Sequence, residues 1–432
     1  MKALILNGAG RLRELALAAE EALTSELAVR GYDVARQDLV GLQIPECKGD
    51  FGCWTVTPGA CVQAGPHRDI ARDLIQSDLV TWLTPLTFGG YSSVLKSLLD
   101  HCIPLIAPFF TTVDGETHHE PRYERFPSVL AVGLSERPDS VGTAVFERLV
   151  RRNVLNLYAP HFASPVVTAE QAPMLRALAS CWLDALESSQ PPRSQAEPLE
   201  LGARNDLPAG APRRALLLVG SPRGRESVSA SIASHLETLL VEHEVQVSTA
   251  WIQRSVREDP GLQQLSEDLG RTDVVILAAP LYVDSLPAPV TEALELLARR
   301  RLPTTAARPR FLAIVNCGFP EAVQTDTALA ICRLWAGAAG LDWIGGLGIG
   351  AGGMLAGKPL AELGSRARTV TRALAMSANA IARGEIVPEA ALRLARALTL
   401  PAWFYRVLGN WGFRLDARKH GTRRLRERPY AA

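Results

Sequence analysis

Two stretches of this 432-residue chain punctuate their apolar runs alike and at constant spacing, and this internal repeat limits the fold more than any other feature. Ala3–Leu6 is a short apolar run closed by Asn7-Gly8, and Arg214–Val219 is closed by Gly220. Leu79–Leu83 ends at Pro85, and Asp273–Ala279 ends at Pro280. Val129–Val132 has its counterpart in Phe311–Asn316. Between such runs lie amphipathic stretches, as in Leu12, Leu15, Ala19, Leu23 and Leu27 at helical spacing. This β-α-β rhythm predicts an α/β protein, a parallel sheet covered by helices on both faces, built twice.

The offsets between the copies locate what distinguishes them. Gly8 and Gly220 are 212 residues apart, Asp78 and Asp273 are 195 apart, and Leu130 and Leu312 are 182 apart. The first copy therefore carries 17 additional residues before Asp78 and 13 more before Leu130. The first surplus coincides with the cysteine-bearing stretch Pro45–Cys61. The second coincides with Asp114–Arg125, which holds His118, His119, Arg122 and Tyr123. Additions to a shared scaffold are where specific function tends to sit. The expected domains are 1–186, a linker over 187–213 rich in proline (Pro191, Pro192, Pro198, Pro208, Pro212), a second unit over 214–390 and a tail over 391–432.

Composition excludes several classes. Lys plus Arg is 46 and Asp plus Glu is 45, a net charge of +1, which argues against a nucleic-acid-coating protein. Seven cysteines are too few for a disulfide scaffold and point to reduced thiols. The N-terminal apolar run is shorter than the roughly 7–15 residues of a signal-peptide core, so a cytoplasmic protein is expected. Ala336–Gly357 is weakly polar but holds Asp342 and nine glycines, which reads as strand and loop rather than a membrane span. Leu400–Ala432 holds eight Lys/Arg against two Asp/Glu, with Trp403, Phe404, Tyr405, Trp411 and Phe413. Such a tail suits either peripheral contact with an anionic membrane or packing of its aromatics on the second copy. Packing, with solvated arginines, is the expectation.

Three loops after strands carry candidate chemistry. Gly220-Ser221-Pro222-Arg223, continuing to Ser227 and Ser229, follows a strand and opens a helix. Unpaired N–H groups, hydroxyls and a guanidinium there suit a phosphate, the plainer reading being a helix cap. The first-copy loop Asn7–Arg13 has no hydroxyl and is the poorer phosphate site. Pro280-Leu281-Tyr282-Val283 and Pro85-Leu86-Thr87-Phe88-Gly89 each set an aromatic just beyond a strand-ending proline, offering backbone donors and a flat apolar face. The alternative for each is an ordinary β-α turn. Two formal matches are set aside. Gly352–Lys358 fits a phosphate-loop pattern but continues into Pro359, with no hydroxyl for a metal ion. Gly348–Gly353 fits a dinucleotide pattern but follows the last strand.

The Gly-Ser-Pro-Arg loop with its following serines, and the Pro-Leu-Tyr turn, together resemble the NADPH-dependent FMN reductase group of flavodoxin-like proteins. The resemblance covers both copies. It implies two flavodoxin-like doubly wound units with five-stranded parallel sheets. It also implies FMN phosphate at Gly220, Ser221, Pro222, Arg223, Ser227 and Ser229. The ring would lie near Pro280, Leu281, Tyr282 and Val283, with Asn316, Cys317, Gly318 and Phe319 as a third flavin-side loop. Cys47–Cys61 looks like the cysteine loop of iron–sulfur flavoprotein relatives, but Asp50 stands where those have a cysteine. Cys47, Asp50, Cys53 and Cys61 would be the ligands of an iron–sulfur cluster. The competing reading, and the expectation, is a cluster-free loop with Trp54 packed beneath it and free thiols. Cys102, Cys181 and Cys332 fall in helical patterns and are expected in the core. His118, His119, Arg122 and Tyr123 are read as a substrate- or interface-lining loop rather than a metal site.

The implied activity is FMN-dependent NAD(P)H oxidation, with electrons passed to a quinone, a flavin or another small acceptor, and with no catalytic acid or base required. The repeat suggests a pseudo-dimer in which the first copy lends its insertions to the second copy's flavin, much as a second subunit does in a homodimeric relative; a homo-oligomer is the other partner expectation. The alternative is a non-enzymatic electron-transfer or binding protein with one degenerate copy.

Overall fold

The structure, a computed structural model, describes residues 1–194, 210–255, 259–300, 308–355, 358–398 and 400–431. Residues 195–209 of the expected linker and 356–357 of the glycine-rich stretch lie outside the described residues. Each apolar run named above becomes a strand. The strands are β1 Lys2–Asn7, β2 Asp33–Asp38, β3 Leu79–Pro85, β4 Ile106–Val113, β5 Glu116–Pro121, β6 Ser128–Ser135, β7 Phe162–Ala163 and β8 Val166–Thr168. After the gap come β9 Arg214–Val219, β10 Gln246–Trp251, β11 Val274–Pro280, β12 Arg310–Asn316 and β13 Asp342–Ile349.

The chain divides into two compact units, Met1–Gln195 with Val407–Ala432, and Ala196–Arg406. Each is built on a parallel sheet, of order β2-β1-β3-β6-β7 in the first and β10-β9-β11-β12-β13 in the second. That is the flavodoxin-like order, in which the winding reverses between the first and third strands and leaves a crevice at their carboxyl ends. The second sheet has the five strands expected. The first has six, because two short strands, β7 and β8, share the last place beside β6. Pro165 lies between them; it brings no N–H, and its carbonyl accepts from Gly133 at 2.9 Å.

Burial on both faces explains the continuous apolar runs. Ala3 and Ile5 pack with Leu15, Ala19, Leu23 and Leu27 of the helix Arg13–Val29, and with Leu183 and Leu186 of the helix Leu175–Ser188. Leu4 and Leu6 point to the other side and are equally buried. In the second unit Ala215 and Leu217 pack with the helices Val228–Glu242 and Arg368–Ala382. Cys102 and Cys332 lie in the core as expected, whereas Cys181 is exposed. On its helix Ala179, Trp182, Leu183 and Leu186 occupy the buried arc, which leaves position 181 facing outward.

The second insertion forms an antiparallel hairpin, β4 with β5. It turns at Asp114-Gly115, both at positive φ (48° and 85°), the geometry of a two-residue type I′ connection. Among the described residues no helix is long and apolar enough to cross a membrane.

Candidate functional site

The loop after β9 begins with a glycine that packing requires. Gly220 N–H donates to the Ala278 carbonyl at 2.9 Å, and a Cβ there would lie 2.6 Å from Val290 Cγ2. The helix Ala288–Arg299 thus rests directly on the strand end. Ser221 is buried, and its Oγ accepts from the Arg223 N–H at 3.4 Å; Arg223 itself is exposed. Ser227 caps the helix Val228–Glu242, accepting from Ala230 N–H at 3.1 Å and donating to the Gly224 carbonyl at 2.7 Å. Ser229 is buried and donates to Asn316 Oδ1 at 2.7 Å, so its hydroxyl braces the helix against β12.

The loop after β11 turns sharply. Tyr282 N–H donates to the Ser285 carbonyl at 2.9 Å and Ser285 N–H to the Tyr282 carbonyl at 3.1 Å. Val283 and Asp284 between them have φ of 46° and 56°. The first copy repeats this residue for residue. Thr87 and Gly90 exchange bonds of 2.9 and 2.7 Å around Phe88 and Gly89, with φ of 51° and 76°. The 195-residue offset that aligns Pro85 with Pro280 therefore survives through the turn. The aromatics do not align. Phe88 is a central residue of its turn, while Tyr282 is the first residue of its own. A β-branched side chain at positive φ is a strained choice, and strain of this kind, about 1–3 kcal/mol, gathers at ligand-facing loops. Val283 carries it at the position expected to wall a ring.

Asn316 joins the loops. Its side chain takes the Ser229 hydroxyl, and its carbonyl accepts from Leu281 N–H at 2.8 Å. Beyond it, the Cys317 thiol points to the carbonyls of Phe319 (3.5 Å) and Glu321 (3.8 Å). An added Cβ at Gly318 would meet nothing within 4 Å, so this loop has open space beside it. The glycine-rich strand end holds it from behind. Ala351 N–H donates to the Phe319 carbonyl at 2.6 Å and Gly352 N–H to the Cys317 carbonyl at 2.8 Å. A Cβ at Gly350 would sit 2.2 Å from the Pro320 carbonyl oxygen. The glycines at 350 and 352 thus serve backbone-to-backbone packing. Tyr405, buried, closes the arrangement by donating to the Gly318 carbonyl at 2.7 Å.

These residues fit an FMN in the second unit. Ser221, Arg223 and the helix start beside Ser227 offer donors and positive charge for a phosphate. Leu281, Tyr282, Val283, Gly318 and Phe319 are partly open and lie at the carboxyl ends of β11 and β12. The first unit does not fit in the same way. Its helix Arg13–Val29 starts from Leu12, in a left-handed conformation with no side-chain cap. Asn7 Nδ2 is held by Glu20 at 2.7 Å, Arg11 pairs with Glu136, and Arg13 pairs with Asp38. The cations beside that loop are thus already neutralised by carboxylates.

The two insertions and the tail pack together within the first unit. Trp54 is buried and donates to the carbonyls of Ile103 (3.0 Å) and Ile106 (3.1 Å). Its ring lies 4.5 Å from that of His119 and 5.5 Å from that of Phe413. Asp50 Oδ1 accepts from Gly52 N–H at 3.0 Å and shapes the loop. All seven cysteines are free thiols. Burial pushes Cys47 up to about 12 and Cys53 well above the ordinary thiol range. Cys61 also lies with His67 and His101, one ligand atom of each within 4.8 Å of the other two, while Cys47, Asp50 and Cys53 are near enough to act on one another and on Cys61 electrostatically.

The histidine hairpin does not line a surface as expected. His118 bonds Asn156 Oδ1 (2.8 Å), His119 bonds the Pro108 carbonyl (3.0 Å), and both are buried. Arg122 is buried and donates to the carbonyls of Pro104, Leu425 and Glu427 at 2.7, 2.9 and 2.7 Å. The expected packing of the tail on the second copy holds only for Tyr405. From Val407 onward the tail belongs to the first unit, where Phe413 packs on the apolar hairpin and Asn410 bonds the carbonyl and N–H of Phe110. Trp403 and Trp411 remain exposed on the helix Ala402–Lys419.

The profile of the NADPH-dependent FMN reductase family matches this chain in two segments, residues 1–117 and 213–321. The chain belongs to that family of oxidoreductases, and carries its fold twice. Among solved structures it is similar to NAD(P)H:quinone oxidoreductase from Methanothermobacter marburgensis, at 12% identity over 44% of this chain and 98% of that one, with a TM-score of 0.34. It is also similar to azoreductase from Bacillus anthracis str. Sterne, at 13% identity over 43% and 97%, with a TM-score of 0.32. No curated protein sequence matches it.

Proposed function

We propose that the second unit is the flavin-binding half of an FMN-dependent NAD(P)H oxidoreductase whose electrons go to a quinone, a free flavin or another small acceptor. The observation that carries this is Asn316. One side chain and one carbonyl fix the phosphate-side helix, the strained Tyr282 turn and the open Gly318 loop in a single arrangement. Bound FMN supplies the hydride and electron chemistry. The chain's residues then have limited tasks. Ser221 and Arg223 hold the phosphate. Tyr282 and Phe319 exclude water from the ring, and Tyr405 keeps the Gly318 carbonyl engaged. No side chain is assigned as acid or base. Quinone and azo reduction are activities of the similar proteins and enter here as acceptor classes to try.

The test is the visible spectrum of the purified full chain, followed by FMN titration and by NADPH and NADH oxidation with quinone and free flavin as acceptors. One FMN per chain, lost in the Ser221→Ala/Arg223→Gln variant, is the expected result. FMN that stays bound in that variant would move the site to the first unit. A chain that takes up no FMN would return it to the non-enzymatic reading.

A further inference from the structure

Three side chains from separate segments of the first unit converge below the cysteine loop. Cys61 ends the first insertion, His67 opens the helix His67–Gln76, and His101 lies just beyond the helix Ser93–Leu99. One ligand atom from each lies within 4.8 Å of the other two. Among the described residues this is the one such convergence of three His, Cys, Asp or Glu side chains.

The internal geometry is that of a ligand set. Cys61 Sγ is 3.4 Å from His101 Nδ1. A tetrahedral zinc ion with ordinary Zn–S and Zn–N bonds spaces sulfur and nitrogen by about 3.5 Å. His101 Nε2 is 2.6 Å from the Pro45 carbonyl, so Nε2–H donates there and Nδ1 turns its lone pair toward Cys61. A backbone carbonyl fixing the tautomer of a ligating imidazole is the usual outer-shell device. His67 supplies the independent sign. Its ring is fully buried, its centroid is 4.2 Å from that of His101, and neither ring nitrogen makes a hydrogen bond. The Gln63 backbone lies near the ring without reaching hydrogen-bond geometry. A buried polar group left so costs about 1–3 kcal/mol, and a metal ion would use it.

We infer that Cys61, His67 and His101 form a site for one zinc-class divalent ion, with a fourth position open to water or a small ligand. Two imidazoles and a thiolate select such an ion over magnesium or calcium. Binding forms one metal–sulfur and two metal–nitrogen bonds and releases the Cys61 thiol proton to solvent. The ion would tie the end of the insertion to two helices, and it commits Cys61 away from any cluster with Cys47 and Cys53. The site is independent of FMN in the second unit.

The test uses the full chain, dialysed against a chelator and titrated with cobalt(II), then displaced by zinc. One equivalent of cobalt should give intense ligand-field bands to the red of flavin absorption, with thiolate charge transfer in the near ultraviolet. Cys61→Ala should abolish the charge transfer. Cys61→Ala and His101→Gln should each weaken zinc binding by about 100-fold or more, since loss even of an outer-shell partner costs roughly 10–100-fold. Cys181→Ser and Cys47→Ser should bind as the parent does, and far-ultraviolet circular dichroism checks that each variant is folded. The inference fails if folded Cys61→Ala and His101→Gln bind zinc like the parent, or if cobalt gives only the weak bands of an octahedral ion. It also fails if Cys47→Ser removes the metal as Cys61→Ala does, which would point to the cysteine set instead.

Discussion

Gly8→Ala and Gly220→Ala place a methyl group at equivalent points of the two copies, yet they are predicted to differ in kind. At Gly220 the new Cβ would lie 2.6 Å from Val290 Cγ2 and 3.3 Å from Ala279 Cβ, so side-chain atoms are the main obstacle. At Gly8 it would lie 2.6 Å from Leu95 Cβ, 3.0 Å from Leu95 N and 3.1 Å from Leu95 Cα, so the helix backbone is the obstacle. Overpacking costs about 1–3 kcal/mol, and replacing glycine at an ordinary φ returns about 0.4–1 kcal/mol from the unfolded chain. Gly220→Ala should therefore cost about 0.5–2 kcal/mol net, and Gly8→Ala, at the upper end of the overpacking range, about 2–2.5 kcal/mol. Val290→Ala deletes the clashing methyl and should recover roughly 1–2 kcal/mol as coupling in a double-mutant cycle. Leu95→Ala leaves Cβ, N and Cα in place and should recover nothing. Urea unfolding gives the energies, and hydrogen exchange read separately for the two units assigns them. Additivity of Gly220→Ala and Val290→Ala within about 0.5 kcal/mol, or rescue of Gly8→Ala by Leu95→Ala, would refute the packing argument.

Asn316→Ala should strand the buried Ser229 hydroxyl, cost about 1–3 kcal/mol and weaken FMN retention; a variant with unchanged unfolding and flavin content would remove Asn316 from its central role. Tyr405→Phe should cost about 1 kcal/mol and speed exchange of the Cys317–Glu321 amides, and equal exchange in both proteins would count against it. Burial would raise the Glu116 carboxyl, but His118 and Arg152 outweigh it and bring it down to about 2. Its contribution to the first unit should thus be present above the ordinary carboxyl range and fade as pH falls through about 2. Glu116→Gln should flatten that part of the acid-unfolding profile, and an unaltered profile would assign the effect to other carboxylates. Lys96 and Asp100 form a buried pair one helical turn apart, so Lys96→Met alone should cost about 3–5 kcal/mol by thermal or urea unfolding, whereas a loss under 1 kcal/mol would mean that water reaches Asp100.

The repeat was legible because parallel strands buried on both faces read as unbroken apolar runs, and their closing Gly8/Gly220 and Pro85/Pro280 keep fixed offsets. The Asp114-Gly115 turn was open to reading in the same way, since that pair favours a type I′ hairpin; the buried fate of His118 and His119 was not. Their burial depends on Trp54 and Phe413, which lie far away in sequence. The same distance hid His67 beside His101. A histidine opening one helix and another just after a later one gain meaning only when the sheet brings those ends together. Ser229 looked like its neighbours Ser221 and Ser227, but one further step around the helix turns its hydroxyl inward to Asn316. Cys181 was misjudged because a helical pattern marks an apolar arc without telling which borderline position falls outside it.

The first unit is discontinuous: its last residues, from Val407, leave the ribosome only after all of Ala196–Arg406. At about 5–20 residues per second, roughly 200 intervening residues impose a delay of about 10–40 s. Throughout that interval Trp54 and Phe110 lack Phe413, Arg122 lacks the Leu425 and Glu427 carbonyls, and Gly59 lacks Pro429. The nascent chain is therefore expected to expose one apolar, charge-bearing patch on an otherwise folded unit until the residues from Val407 have emerged. Chains stalled before residue 407 should be cut by protease around the hairpin, and released full-length chains should resist. In kinetic terms, the tail acts as a latch, so that the earliest unit closes only after the second has been made.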